Sequence, residues 1–192
     1  MAGNKSPYGL NAMTVQEATN SIAQRKVIRV SPTLAASAIS GTAGDVLISG
    51  AEIPNAVLTN GGCSILKTAW VIDYDDVQTD EDFIVIFHQD NAADFGTPDA
   101  TANISDANLK LNKLLGFKEW DNDLSETGGL IDNAKMNELQ NASGTYYVTK
   151  EMMLQAESDS TSVYFSVIQK TTSGATPDWD TGDLEFVFDI EY

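Results

Sequence analysis

The sequence predicts an all-β domain, a β-sandwich or jelly roll of seven to eight strands with one short helix and an N-terminal extended arm. Three observations point there. The chain closes on Leu184 to Tyr192 (LEFVFDIEY), where Leu184, Phe186, Phe188 and Ile190 alternate with Glu185, Asp189 and Glu191. That period of two buries one face of a strand and wets the other. Tyr146 to Lys170 reads as a hairpin, with Val148, Met152, Leu154 and Ala156 in one arm and Val163, Phe165 and Val167 in the other. The polar run Glu157 to Ser162 is its turn. Third, short apolar runs recur along the chain between turn signals, and a hairpin needs such further strands to be stable in water.

Taken in order, residues 1–24 are polar and small and read as an arm leaving a body that spans 25–192. Lys26 to Val30 is the first strand, ended by Ser31-Pro32 because Pro donates nothing to a ladder. Asp45 to Gly50 is the second, with Ala51 to Pro54 extending or turning it, and Asn55 to Thr59 is a candidate short strand. Asn60-Gly61-Gly62 is a turn, since Asn and Gly accept positive φ. Ser64 to Asp73 is a strand apolar on both faces, with Leu66, Trp70 and Ile72 on one and Ile65, Ala69 and Val71 on the other. Phe83 to His88 (FIVIFH) is the most apolar strand. The helix follows, with Ser105 as N-cap, Asp106 in its first turn and Gly116 as its stop. Leu109, Leu111, Leu114 and Leu115 form its apolar side, and residues 121–144 read as loop.

Charge narrows the function. The formal net charge is −17 over 192 residues. It is uneven: residues 1–29 carry +3, with Lys5, Arg25, Lys26 and Arg29 against Glu17, and the rest carries −20. An acidic body repels nucleic acid and anionic membranes, so neither is an expected partner. The four basic residues are the candidate partner-binding set, a basic leader able to meet an acidic neighbour. The start has no apolar run of roughly 7–15 residues and reads as no signal peptide. No stretch approaches the ~18 apolar residues of a membrane helix.

Candidate chemistry is sparse. His88 is the only histidine and reads as a strand-edge residue, and Cys63, the only cysteine, reads as a small buried thiol. One His and one Cys make no zinc site, and no nucleophile elbow or phosphate loop occurs. No enzyme and no cofactor are expected. Acidic clusters are what remains. Asp73, Asp75, Asp76, Asp80, Glu81 and Asp82 crowd one stretch. Asp121, Asp123 and Ser125 have the spacing of a calcium loop, but Glu126 stands where its Gly belongs and Asp132 replaces its last Glu. Asp178, Asp180 and Asp183 form a third cluster. Each reads first as a solvated face and second as a calcium site.

Several segments carry a resemblance. Val27 to Leu34 (VIRVSPTL), Gly44 to Gly50 (GDVLISG), Glu52 to Val57 (EIPNAV), the Gly-Gly turn and the strand ending in Asp73 to Asp76 (DYDD) form one pattern. Ile104 to Asn108 (ISDAN), the hairpin around Tyr164 and Gly182 to Phe186 (GDLEF) continue it. Over about 26–192 this resembles a family of virion structural proteins from aquatic tailed bacteriophages. The resemblance implies a non-enzymatic head decoration or cement protein in the virion, assembled in the host cytoplasm. It implies partners among virion proteins, the major capsid protein first. Self-association as a homotrimer is expected with it. The alternatives are a tail- or fibre-associated protein or a carbohydrate-binding module.

Overall fold

A computed structural model of the chain describes residues 24–34, 42–74, 82–120, 135–138, 151–170, 179 and 181–192. Within them lie nine strands and one helix: β1 (Arg25–Val30), β2 (Val46–Ile53), β3 (Cys63–Asp73), β4 (Phe83–His88), α1 (Asp106–Asn112), β5 (Leu114–Trp120), β6 (Lys135–Glu138), β7 (Met152–Gln155), β8 (Val163–Gln169) and β9 (Leu184–Glu191). Two sheets form. One runs β1-β9-β3-β6, with β7 also on β3, and the other runs β2-β8-β4-β5. Every pairing is antiparallel, and the pairs nest: β1 with β9, β2 with β8, β3 with β6 and β7, β4 with β5. Nested pairing split across two packed sheets is the jelly roll, its third strand pair here divided because β6 and β7 share the long β3.

β9 lies between β1 and β3, as its alternation requires of an interior strand. Leu184, Phe186, Phe188 and Ile190 are fully buried. They meet the inward residues of the other sheet through aromatic rings: Phe165 with Phe186 at 4.8 Å and with Phe188 at 5.3 Å, and Phe87 with Phe188 at 5.9 Å between centroids. At one end of the sandwich Phe83 stands edge-on to Trp120 at 4.2 Å, and Trp120 stacks with Trp179. Edge-on rings place the positive rim of one against the negative face of the other.

The expected hairpin is not a hairpin. β7 pairs with β3, whereas β8 pairs with β2 and β4, so 156–162 crosses between sheets. Alternation says that a strand buries one face, and both arms do. It does not say against which neighbour. The first arm's residues 146–150 lie outside the described residues.

Other expectations are corrected by local backbone chemistry. In β3 the pairing with β9 slips between Leu66 and Thr68, a bulge that reverses which parity points inward. Hence Leu66 is buried, and so are Ala69 and Val71, while Trp70 and Ile72 turn outward and are half-buried. Asn55 to Thr59 is a turn: Asn55 takes φ +53, and Ala56 and Val57 are plugged into the core. The helix is capped as expected, with Ser105 Oγ accepting from Asn108 N–H at 3.3 Å. It stops earlier than Gly116, at Lys113, whose φ of +52 breaks it. The chain then forms β5 along β4, leaving Leu111 and Leu114 exposed. β6 occupies part of the stretch read as loop. Asp189, expected in water, is nearly buried because Arg25 covers it with a two-pronged pair, Nε to Oδ1 at 3.2 Å.

Candidate functional site

Three places on the body carry polar chemistry. The first is built around His88, the last residue of β4. It is not at a sheet edge: β8 and β5 flank β4, and the ring is fully buried. Its Nδ1 lies 2.8 Å from the Asp90 carbonyl and its Nε2 3.0 Å from Ser166 Oγ on β8. A carbonyl only accepts, so Nδ1 carries the proton and the neutral ring's Nε2 accepts from the serine hydroxyl. Ser166 Oγ in turn accepts from the Gly50 N–H of β2 at 3.0 Å. Phe95 and Tyr164 close over the imidazole at 5.2 and 6.1 Å, the latter stacked. Burial holds the ring below its ordinary titration range, with the Asp90 contact opposing.

A serine hydroxyl donating to a histidine is the pairing that activates a nucleophile. Here Ser166 has no exposed surface, and its oxygen is already held by Gly50. With no path for a substrate, the pair can tie β2, β8 and β4 together and cannot attack anything. Sequence reasoning missed it because Ser166 and His88 are far apart in the chain. Neither strand carries a signal for the pair: Ser166 stands opposite Ile86 and Tyr164 opposite His88, and only the fold sets the hydroxyl beside the ring.

The second place is an open groove of about 830 Å³ beside β2. Val30, Pro32 and Thr33 wall one side, Asp94 and Asn103 the other, and Ser49 and Glu52 form part of its floor. The Glu52 carboxylate accepts from Ser162 Oγ at 2.6 Å. The loop wall is fastened: Phe95 N–H donates to Ser49 Oγ at 3.0 Å, and Asp99 N–H to the Val46 carbonyl at 2.9 Å. Among the described residues no aromatic ring lines this groove.

The third is the set of residues expected to bind. Arg25 and Arg29 lie on β1, paired with Asp189 and Glu185 of β9, and Lys26 is exposed between them. Lys5 lies outside the described residues. Of the calcium candidates, Asp73 ends β3 buried, its Oδ2 accepting from the Trp179 indole N–H at 3.2 Å. Asp75, Asp76, Asp121, Asp123, Asp178 and Asp180 lie outside the described residues. Among the described residues no group of three or more His, Cys, Asp or Glu side chains is placed to hold a metal ion. Cys63, expected to be buried, is exposed: it opens β3 on the outward parity.

No protein-family model and no curated protein matches the chain. Among solved structures it is similar to the cryo-EM structure of a semi-empty VLP of the giant freshwater prawn Macrobrachium rosenbergii nodavirus (MrNV). That match has 14% identity and a TM-score of 0.33, and covers 90% of this chain and 94% of that chain. The jelly roll is read from the strand order of this chain, not from that match.

Proposed function

We propose that this chain is a non-enzymatic virion structural protein that binds a tailed-phage capsid as a head decoration or cement subunit. The observation that carries the reading is the nested strand order β1-β9-β3-β6/β7 over β2-β8-β4-β5. Jelly rolls of this kind serve viral shells, lectins and cupins. Fold alone does not choose among them. A cupin-type metal centre is built from several histidines, and this chain has one, sealed in a sheet. A sugar site gains from a ring to stack on, and the described residues that line the groove beside β2 supply none. The structural reading uses what is present, including the resemblance of residues 26–192 to phage virion proteins. The outward side of the second sheet offers Phe117, 51% exposed, with Ile84, Ile86 and Ile168 half-buried on neighbouring strands. Apolar surface of this sort suits a body that is covered in an assembly.

In this reading the arm 1–24 lies on a neighbouring subunit or on the shell, leaving the body where β1 begins at a sheet edge. The expected partners are further copies of the chain, most simply as a trimer, and the major capsid protein. Particles purified on a density gradient from the producing culture test this by quantitative mass spectrometry. A decoration subunit is expected at tens to hundreds of copies per particle. A few copies would move it to the tail, and absence from particles would overturn the reading. Glycan binding abolished by Asn103→Ala would instead favour a carbohydrate-binding module.

A further inference from the structure

The buried network around His88 does more than fill a sheet. It joins four pieces of chain: β4 through the ring, β8 through Ser166, β2 through Gly50, and the loop after β4 through the Asp90 carbonyl. The same loop packs Phe95 on the ring and closes one wall of the groove with Asp94, Gly96, Thr97, Pro98 and Asn103. The donors of the network run in one direction. Nδ1–H gives to Asp90, Ser166 gives to Nε2, and Gly50 gives to Ser166. A second proton on the ring breaks that order. Nε2 becomes a donor aimed at Ser166 Oγ, whose second lone pair can take it, but the serine hydroxyl proton then loses its acceptor and must turn elsewhere in a site with no exposed surface. A cation also then sits in a site with no exposed surface.

From this geometry we infer that His88 is an acid-operated latch. While neutral it holds the 89–103 loop against β2 and β8; once protonated it releases that loop and opens the groove wall, with the sandwich core intact. The charged and titratable groups around it set how it trips. From the loop, the Asp90 carboxylate favours the protonated ring. From β8 the neighbour is the Tyr164 phenol, whose own titration is raised by burial and by Glu52, Asp90 and Asp159. From β2 the nearest charge is Glu52, turned to Ser162. From the β5 side Leu114 stands opposite His88, and the adjacent Lys113 is paired with Glu157. Burial wins over these carboxylates, so the ring is neutral near pH 7 and the latch is closed there.

The sign follows. A histidine depressed in the closed state stabilises closure fully above its free titration point of about 6.5. That stabilisation drains as pH falls from there to the depressed folded value, about tenfold in closing equilibrium per pH unit.

Because the chain has a single histidine, its imidazole signals are assigned without ambiguity. Nitrogen-detected NMR of the full chain is expected to show the Nδ1–H tautomer at neutral pH and a titration midpoint below about 6.5. Hydrogen exchange, corrected for intrinsic rate, is expected to show lost protection in 89–103 and in β2 between about pH 7.5 and 5.5, with β9 unchanged. His88→Gln should remove the pH step. Asp90→Asn keeps the accepting carbonyl but deletes the facing charge, so it should lower the ring's midpoint in the closed state and deepen the loss of loop protection at about pH 5.5, because a wider gap below the free value of about 6.5 drains more of the closing equilibrium. An Nε2–H tautomer, an undepressed midpoint, or equal loop protection at both pH values would overturn the latch. So would a step that persists in His88→Gln or is no deeper in Asp90→Asn.

Discussion

Phe186→Ala tests whether the two sheets are held by the ring contacts described. Phe186 is at 0% exposure in the middle of β9 and meets Phe165 of the other sheet at 4.8 Å, Phe83 at 6.2 Å and Phe188 at 6.5 Å. Truncating a fully buried Phe costs about 3–5 kcal/mol in lost transfer energy and cavity. In a chain of this size each kcal/mol moves the melting point by roughly 2–4 °C, so a fall of about 10 °C is expected. Urea unfolding supplies the free energy, with an unchanged m-value required for a like-for-like comparison. A double-mutant cycle with Phe165→Ala isolates the inter-sheet pair, for which a coupling of about 0.5–1.5 kcal/mol is expected. The adjacent position is the control. Glu185 faces outward and pairs with Arg29 and Tyr74, so Glu185→Lys should cost about 1 kcal/mol or less. A Phe186→Ala cost below that of Glu185→Lys, or a coupling of zero, would refute the packing described.

Four further outcomes are expected. Gly50 has φ +69, and an added Cβ would lie 2.1 Å from Asn91 Oδ1, so Gly50→Ala should destabilise by more than about 1 kcal/mol, and Asn91→Ala beside it should restore only part, because the backbone strain stays. The Gln169 side-chain amide is buried with neither atom hydrogen-bonded, so Gln169→Met should raise the melting point, whereas a fall would reveal a bound water. The solvated-face reading of Asp75, Asp76, Asp121, Asp123, Asp178 and Asp180 expects no calorimetric heat from millimolar calcium; a chelator-reversible rise in melting point would assign a calcium site among them. Removing residues 1–24 should leave the melting point nearly unchanged and weaken retention on particles; full occupancy by the truncated chain would make the arm a passenger.

Strand positions were legible because burial on one face imposes a period of two that a single strand carries in itself. LEFVFDIEY encodes its inward residues without reference to anything else, whereas FIVIFH, apolar on both parities, marks a strand without marking which face turns inward. What a strand does not encode is its partner. The 146–170 segment therefore read as a hairpin, when its two halves serve opposite sheets. Bulges were illegible for a related reason. Nothing in SILKTAWVID marks Lys67 as the residue where parity reverses, since both parities are apolar. β5 was hidden behind a good helix start, because the four leucines around it fit a helical stripe and only the positive φ of Lys113 ends it. The His88 network was illegible in principle: its members lie on four separate stretches, and only the fold brings them together.

Nested pairing also ranks the strands mechanically. β4 and β5 are joined by a local connection, whereas β1 meets β9 only after nearly the whole chain has been laid down. Non-local pairs form late, because the loop they close costs entropy before any contact is made. β1 is, besides, a strand whose ladder among the described residues is to β9, with Ile28 its one buried side chain, and its ion pairs join exposed arginines to the mostly buried carboxylates of Asp189 and Glu185. A segment attached ahead of Arg25 thus connects to the least committed strand of the fold. Load applied there reaches β1 and its pairing with β9 before it reaches the ring contacts between the sheets. For a subunit tethered to a shell by its first residues, that placement separates attachment from stability. On the proposed reading such a tether would shift or be pulled while the aromatic core between β8, β4 and β9 stays closed, and its loss would leave that core complete.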